Sequence, residues 1–478
     1  MHTTFFFYDL ETSGFSARAD RIMQFGGQRI DMDLNPVGEP VNILIKLSED
    51  ILPGPDAILV TGITPQQTIA DGITEREFTK IFNDEVATPG TIFVGFNSIR
   101  FDDEFMRFLQ YRNFYDAYEW QWKDGRGKWD LLDVVRMTRA LRPEGIKWPV
   151  DSAGKSANRL EMLASINNLD HTNAHDALSD VMATIDLARL IKTKQPKLFD
   201  FLLSMRDKSK ITGLINKPEA FVYSSGKYPA EFEKTTVVVK IADHPKRGGA
   251  LVYDLRHDPE PFMKMTPEQL VDAWRYKKVT DKNADDPRLP VKTLQFNHCP
   301  AIAPLAVLDD ASKKRLQLDI QTLNNNLAKL RSNQQFVVNV LKALEIMDKK
   351  QQASFLQDEK SVDAQLYDGF FGDTDKTAMI AVRAAGADEL SDLVESCKDS
   401  RLKALLPLYK ARNFPKSLND DERAAWEKFV QSKLFEGNEP AIKKYFARLE
   451  ELTQQTTLTK NQQYLLEELK LYGESLMQ

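Results

Sequence analysis

Near the start of this chain, two carboxylates interrupt a run of aromatic residues. Phe5, Phe6, Phe7 and Tyr8 are followed by Asp9, Leu10, Glu11, Thr12, Ser13 and Gly14. The aromatic run has the composition of a buried strand. On a strand, residues i and i+2 share a face, so Asp9 and Glu11 project side by side. Carboxylates held that close repel each other unless a cation lies between them. Hard oxygen donors of this kind suit Mg²⁺ or Mn²⁺. Taken alone, the stretch reads equally well as a half-buried strand with a solvated acidic edge. The two readings separate on whether other acids converge on it.

Two later segments supply such acids. Residues 91–96 read as a short apolar strand ended by Asn97 and Ser98. Asp102, Asp103 and Glu104 then precede a helical pattern at Phe105, Phe108 and Leu109. Acids favour helix N-termini, which accounts for one or two of the three. Asp102 is the one expected to point back toward Asp9 and Glu11. Further on, Ala177, Val181, Ile185, Ala188 and Ile191 follow helical spacing. His175 lies just before that helix, Asp176 is its expected cap, and Asp180 sits in its early turns. Between these segments, residues 22–30 read as a strand broken at Gly26-Gly27. Residues 41–47 read as another strand, and Thr64-Pro65 as a helix start.

The chain has 478 residues, enough for about three domains. Its hydrophobic content of 42% and charged content of 28% are those of a soluble globular protein. Cys299 and Cys397 are its only cysteines, which excludes a disulfide framework or a cysteine zinc site and points to a reducing, cytoplasmic setting. No stretch approaches the roughly 18 apolar residues of a membrane span. The net charge of −6 does not announce a nucleic-acid binder, but such binding depends on local patches. Residues 121–159 hold nine Lys/Arg against five Asp/Glu. The aromatics Phe108, Tyr111, Phe114, Tyr115, Tyr118, Trp120, Trp122 and Trp129 lie before or within that stretch. Exposed rings stack on bases and basic groups track phosphates, although about half of these rings are expected in the core. Trp120 and Trp122 border a polar glycine loop, which favours exposure of at least one.

Beyond Pro196, short β-like runs occupy residues 220–223, 235–241 and 250–254, with more extended sequence at 293–308 and helical sequence at 316–347. This middle region shows no acid cluster. Its Lys208, Lys210, Lys246 and Arg247 form a candidate DNA-guiding surface. From about residue 350 the pattern is helical. Trp426, Phe429 and Leu434 share one amphipathic helix, and Leu465, Leu466, Leu469 and Leu471 share another.

The order D-x-E-T after a strand, N-x₃-F-D after a second strand, and H-x₄-D opening a helix resembles the histidine-bearing branch of the DEDD-type 3′–5′ exonuclease superfamily. This likeness covers residues 1–195 through Asp9, Glu11, Asp102, His175 and Asp180. Over its whole length the sequence is similar to the bacterial exodeoxyribonuclease I family. The segments that carry this are LVTGITPQQ (59–67), IRFDDEF (99–105), YRNFYDAYEW (111–120), KWDLLDVVR (128–136), ALRPEGIKWP (140–149), NAHDALSD (173–180), VDAQLYDGFF (362–371) and YKARNFP (409–415).

The resemblance implies an α/β ribonuclease-H-like exonuclease domain, a mixed sheet flanked by helices, over residues 1–195. It implies an SH3-like β-barrel domain with a helical attachment over 196–350 and an α-helical C-terminal domain over 351–478. It implies processive, Mg²⁺-dependent 3′ to 5′ hydrolysis of single-stranded DNA to 5′-mononucleotides, in DNA repair and recombination, by a monomer. Two Mg²⁺ ions per site are implied, with Mn²⁺ able to substitute. Asp9, Glu11 and Asp180 would be direct ligands, Asp102 would complete the site directly or through water, and His175 would be the general base. Glu11, Arg107, Tyr118, Trp122, Arg136, Arg159 and Lys208 would contact the strand. The acidic C-terminal tail of the single-stranded-DNA-binding protein is an implied partner, expected near Arg139, Arg142 and Phe201. Two competitors are a ribonuclease of the same superfamily and a DNA-binding scaffold with an inactive nuclease fold. The first is usually a short single-domain chain. The second is disfavoured because all four acids and the histidine are present.

Overall fold

Strand β1, Thr4–Thr12, is the centre of the first sheet in the computed structural model, which describes residues 3–169, 176–246, 248–275, 287–355 and 361–477. It pairs antiparallel with β2, Ile22–Ile30, which pairs antiparallel with β3, Val41–Leu44. On its other edge β1 runs parallel to β4, Thr91–Gly95, and the short β5, Gly127–Asp130, extends the sheet there. The sheet is therefore mixed, in the order β3-β2-β1-β4-β5. β2 is continuous through Gly26 and Gly27, contrary to the break expected from its sequence. β3 ends at Leu44 rather than at residue 47. Thr64 caps the helix Pro65–Asp71 by accepting from Gln67 N–H, as its sequence suggests.

Alternation along β1 separates two environments. Phe6, Tyr8 and Leu10 enter a core with Phe25, Phe78, Phe82, Phe93 and Trp120. Phe5, Phe7, Asp9 and Glu11 occupy the opposite face. The parallel pairing with β4 ends at Phe7↔Val94, so both acids lie beyond it, at the carboxyl end of the parallel pair. Crevices of this kind are where open α/β sheets hold their ligands.

The chain divides into two compact units. One comprises Met1–Lys128, Asp170–Ile185 and Lys360–Gln478; the other comprises Trp129–Leu169 and Asp186–Glu359. In the second unit, five antiparallel strands follow the order β10-β6-β7-β8-β9. They are β6 Phe221–Ser224, β7 Thr235–Asp243, β8 Gly249–Asp254, β9 Val291–Gln295 and β10 Ala301–Pro304. Phe221, Val238, Val252, Leu294 and Ile302 form their core. The extended sequence at 293–308 is interrupted by the turn Phe296–His298, after which Cys299 takes a positive φ of 44°. The helices Ile320–Ser332 and Gln334–Phe355 complete this unit. Among the described residues, no helix is long and apolar enough to cross a membrane.

In the first unit the C-terminal segment is helical, with Trp426, Phe429 and Leu434 on Asp420–Phe435 and the leucine group on Lys460–Ser475. Two apolar clusters join it to the nuclease sheet and its helices. Phe108, Tyr111 and Phe114 pack with Met379, Val382, Leu402, Leu406 and Tyr409. Met23 and Ile58 pack with Leu449, Leu465, Leu466 and Leu469.

A buried ion network lies in the same unit. Arg412 bridges Asp50 at 2.8 Å and Asp363 at 2.7 Å. Lys433 adds a second cation to Asp50 at 2.6 Å. Arg21 reaches Asp363 at 2.8 Å, and Arg112 holds Glu75 at 2.7 Å. Burial pushes the pKa of Asp50 and Asp363 up, but the charges of Arg412 and its cationic neighbours outweigh it and hold both below the usual carboxylate range. Glu75 is lowered in the same way by Arg112 and Arg21. Depressed carboxylates stabilise the fold fully above the ordinary carboxylate pKa near about 4, and that stability is lost as pH falls through the folded values. Asp363→Asn at neutral pH should cost about 3–5 kcal/mol, because it leaves buried arginine charge without its partner. In thermal melts followed by circular dichroism, the gap between variant and parent should narrow below about pH 4. A gap of equal size at pH 3 and pH 7 would exclude charge as its origin.

Candidate active site

The end of β1 meets the start of the helix Ala177–Lys194. Carboxylate oxygens of Asp9, Glu11 and Asp180 come within 4.8 Å of one another. Glycine makes this approach possible. Gly26 lies opposite Asp9 in the β1–β2 register. A Cβ on Gly26 would fall 2.5 Å from the backbone of Ala177 and Leu178, so the helix start lies directly against the strand. Of the paired glycines that read as a strand break, Gly26 marks this close backbone approach, and Gly27 leaves room for the Phe6 ring.

Gln24, opposite Glu11, ties the same helix start down. Its Nε2 donates to Asp176 Oδ1 at 2.8 Å and to Asn42 Oδ1 at 2.9 Å. Its Oε1 accepts from Ala177 N–H at 3.2 Å. Asp176 Oδ2 accepts from Ser179 N–H at 3.0 Å, which is the capping role its position suggests. Asp180 lies one turn further on.

Asp102 is the first residue of the helix Asp102–Arg112 rather than a residue preceding it. It is 4% exposed and lies outside the trio, but its charge acts on Asp9. Beside it, Asp103 accepts from the Tyr8 hydroxyl at 2.6 Å and from Lys128 at 3.1 Å. Tyr8 points to the face of β1 opposite Asp9, so this bond joins the strand to the start of the acidic helix. Burial, then the charges of Asp103 and Asp102, push the Tyr8 pKa well up and keep the phenol a neutral donor.

Burial also raises the pKa of Asp9 well above the carboxylate range, with Asp102 and Asp180 adding to it. Glu11 is pushed up to about 9 by burial and then by the charge of Asp9. Such acids are stable as anions only beside positive charge. An all-carboxylate donor set of this spacing fits a hard divalent cation.

His175, the expected general base, lies outside the described residues, as does Arg247. Trp122 is 63% exposed, Trp120 is buried and Tyr118 is half-buried. Arg107 is buried, paired with Glu104, and lies 5.8 Å from the centre of the Tyr118 ring. In the second unit, Arg136 pairs with Asp133 and packs along Gly226. Arg159 and Lys208 are exposed. Lys246 pairs with Asp348 at 3.2 Å. Arg139 does not fit the tail-binding role expected of it. It is 5% exposed, pairs with Glu233 at 2.6 Å, and donates to the carbonyls of Pro149 and Ala157. Arg142 is more open, with Asp309 at 3.2 Å, and Phe201 is half-buried.

A mixed sheet that gathers carboxylates at the end of its central strand fits a divalent-metal-dependent nuclease. Residues 6–188 match the family model described as Exonuclease. Residues 206–345 match the Exonuclease I SH3-like domain, and residues 360–476 the Exonuclease I C-terminal domain. Exodeoxyribonuclease I of Haemophilus influenzae is 38% identical, over 99% of this chain and 99% of its own length. The crystal structure of E. coli exonuclease I in complex with a dA16 oligonucleotide is 37% identical, with a TM-score of 0.92 over 99% of this chain and 100% of that one. An ExoI/SSB-Ct complex superposes with a TM-score of 0.90 at 37% identity over all of both chains. The chain belongs to the exodeoxyribonuclease I family.

Gly26→Ala should move the helix start off the strand. Isothermal titration with Mn²⁺ should show weakened binding, and Gln24→Leu should do the same through loss of the Asp176 and Ala177 hydrogen bonds. Unchanged Mn²⁺ affinity in both would separate the helix position from the metal site.

Proposed function

We propose that this chain removes 5′-mononucleotides processively from the 3′ end of single-stranded DNA, with Mg²⁺ as its working ion and Mn²⁺ able to replace it. The carrying observation is the convergence of Asp9, Glu11 and Asp180 at the end of β1, in a chain of this family. The E. coli relative's complex with dA16 supports the choice of a DNA strand as substrate. Two divalent ions, when bound at the site, would supply charge neutralisation at the attacked phosphodiester.

Asp9, Glu11 and Asp180 would hold those ions, and Asp102 would complete the site from its helix start. His175 takes the proton of the attacking water. Glu11 also borders the terminal nucleotide. Arg107, Tyr118 and Trp122 contact the strand in the first unit, and Arg136, Arg159 and Lys208 contact it in the second. Residues 1–195 form the hydrolytic domain, and 196–350 and 351–478 retain the strand. The tail of a single-stranded-DNA-binding protein is the partner, a reading supported by the ExoI/SSB-Ct complex. Arg142 and Phe201 are its candidate contacts, without Arg139.

The test is digestion of a 5′-labelled single strand with and without Mg²⁺. A ladder of shortening labelled products, seen only with the ion, is expected. Immediate release of the label as a mononucleotide would reverse the assigned polarity. Asp9→Asn, Glu11→Gln, Asp102→Asn and Asp180→Asn should each abolish most turnover while melting no lower than the parent, since each removes repelling charge. His175→Ala should lower the rate by about 10² to 10⁴, the usual contribution of a general base.

A further inference from the structure

The buried ion network between the nuclease part and the C-terminal segment holds more donors than acceptors. Among the described residues, Arg21, Arg112, Arg412 and Lys433 face Asp50, Glu75 and Asp363, four cations against three acids. The charges of Arg21 and Lys433 also reach Asp20, which is half-buried and whose Oδ2 accepts from Ser16 N–H at 2.8 Å.

Every carboxylate oxygen of the three acids is engaged. Asp50 Oδ1 accepts from the Ser48 hydroxyl and Arg412 Nε, and its Oδ2 from Arg412 Nη2 and Lys433. Asp363 Oδ1 accepts from Arg412 Nη1, and its Oδ2 from Arg412 Nη2 and Arg21 Nη2. Both oxygens of Glu75 accept from Arg112, and one of them also from Asn113.

Two guanidinium donors are left over. Arg21 Nε and Arg112 Nη1 are buried and have no hydrogen-bond acceptor among the described residues. Both arginines are 3% exposed. Arg21 Nε lies 3.8 Å from Glu75 Oε1, too far for a hydrogen bond. A guanidinium does not shed its proton, and a buried N–H without an acceptor is destabilising. Burial, and next the charge of Arg112, pull the Arg21 pKa down although Asp363 and Glu75 oppose this.

A small cavity adjoins these groups. Arg21, the exposed Lys46 and Glu75 line it from the nuclease part, and Arg412 and Asn413 from the C-terminal segment. Its volume is about 30 Å³, where one water needs about 10–15 Å³ by the same measure. That space takes one monoatomic ion but not the four oxygens of a phosphate.

We propose that this cavity is a chloride site, in which the ion accepts from Arg21 Nε and joins the nuclease part to the C-terminal segment. A water could accept the same N–H, but it brings no charge against the surplus cation. Chloride brings that charge and accepts several donors at once. It therefore stabilises the seam without entering the carboxylate site at the end of β1.

The test uses the full chain. Crystals grown with bromide in place of chloride, measured at the bromine absorption edge, should show an anomalous peak in this cavity within hydrogen-bonding reach of Arg21 Nε. In solution, exchanging gluconate for chloride at constant ionic strength should raise the melting temperature of the parent saturably, by about 2 °C. Arg21→Lys keeps a positive charge for Asp363 but loses the Nε–H, and its melting temperature should not respond. The proposal is overturned if the cavity shows water only, or if Arg21→Lys responds to chloride as the parent does. A bromide peak without a saturable chloride response in the parent marks an adventitious ion only and overturns it too. Should Arg21→Lys fail to fold, the bromide map and the chloride response of the parent decide the matter.

Discussion

Three carboxylates do not gather within 4.8 Å of one another through their own attraction. The surrounding structure has to force them together, and each part of the forcing is visible. Phe5 and Phe7 bury the first half of β1, which fixes the strand that ends in Asp9 and Glu11. Gly26 leaves room for the backbone of Ala177 directly against β2. Gln24 then secures the helix start with an uncharged amide. A carboxylate at that position would add to the repulsion that already raises Asp9 and Glu11. On the other face of β1, the Tyr8–Asp103 bond fixes the helix of Asp102 by the same logic, with a neutral donor on a buried acid. The scaffold thus stores the electrostatic strain that a bound cation relieves.

The C-terminal segment is attached to this scaffold by charge as well as by apolar packing. Asp50, Glu75, Arg21 and Arg112 come from the nuclease part, and Asp363, Arg412 and Lys433 from the C-terminal part. Burying so many ions is costly, and paired buried charges seldom add net stability over an apolar core. What they add is geometric selectivity. An apolar seam tolerates sliding, whereas Arg412 can bridge Asp50 and Asp363 in one arrangement only. Asp363 lies four residues before Tyr367, so the network also limits where Tyr367 meets Glu104.

Much of this was legible in the sequence, because the acids sit on elements whose periodicity is strong. The alternation along β1 predicts that Asp9 and Glu11 share a face, and the spacing from Ala177 to Ile191 predicts the helix that brings Asp180. The parts that were not legible depend on partners far apart in the chain. Gly26-Gly27 reads locally as a strand break, but the distant start of the helix Ala177–Lys194 explains Gly26 and the Phe6 ring explains Gly27. Asp102 is read from the sequence as turned toward Asp9, but nothing local marks Asp103 as the acceptor of the distant Tyr8 hydroxyl. Arg139 looks like part of a basic surface until Glu233 is found beside it. Gln24 had no signal at all, since a lone glutamine in a strand suggests nothing about a distant helix cap.

The same long-range pairing explains how a chain with a net charge of −6 suits a polyanionic substrate. Several of its arginines are not a reserve of surface charge. Arg21, Arg107, Arg112, Arg139 and Arg412 are all buried and bound to acids of the fold. A count of basic residues therefore overstates what can meet phosphate. In the first unit, the exposed large hydrophobic residues include the rings of Trp122, Tyr367 and Phe370. Stacking on rings is less sensitive to salt than pairing with phosphate, whose strength falls with each counterion that binding must displace. Where aromatic faces share the contact, a chain of net negative charge needs fewer exposed cations to hold a single strand.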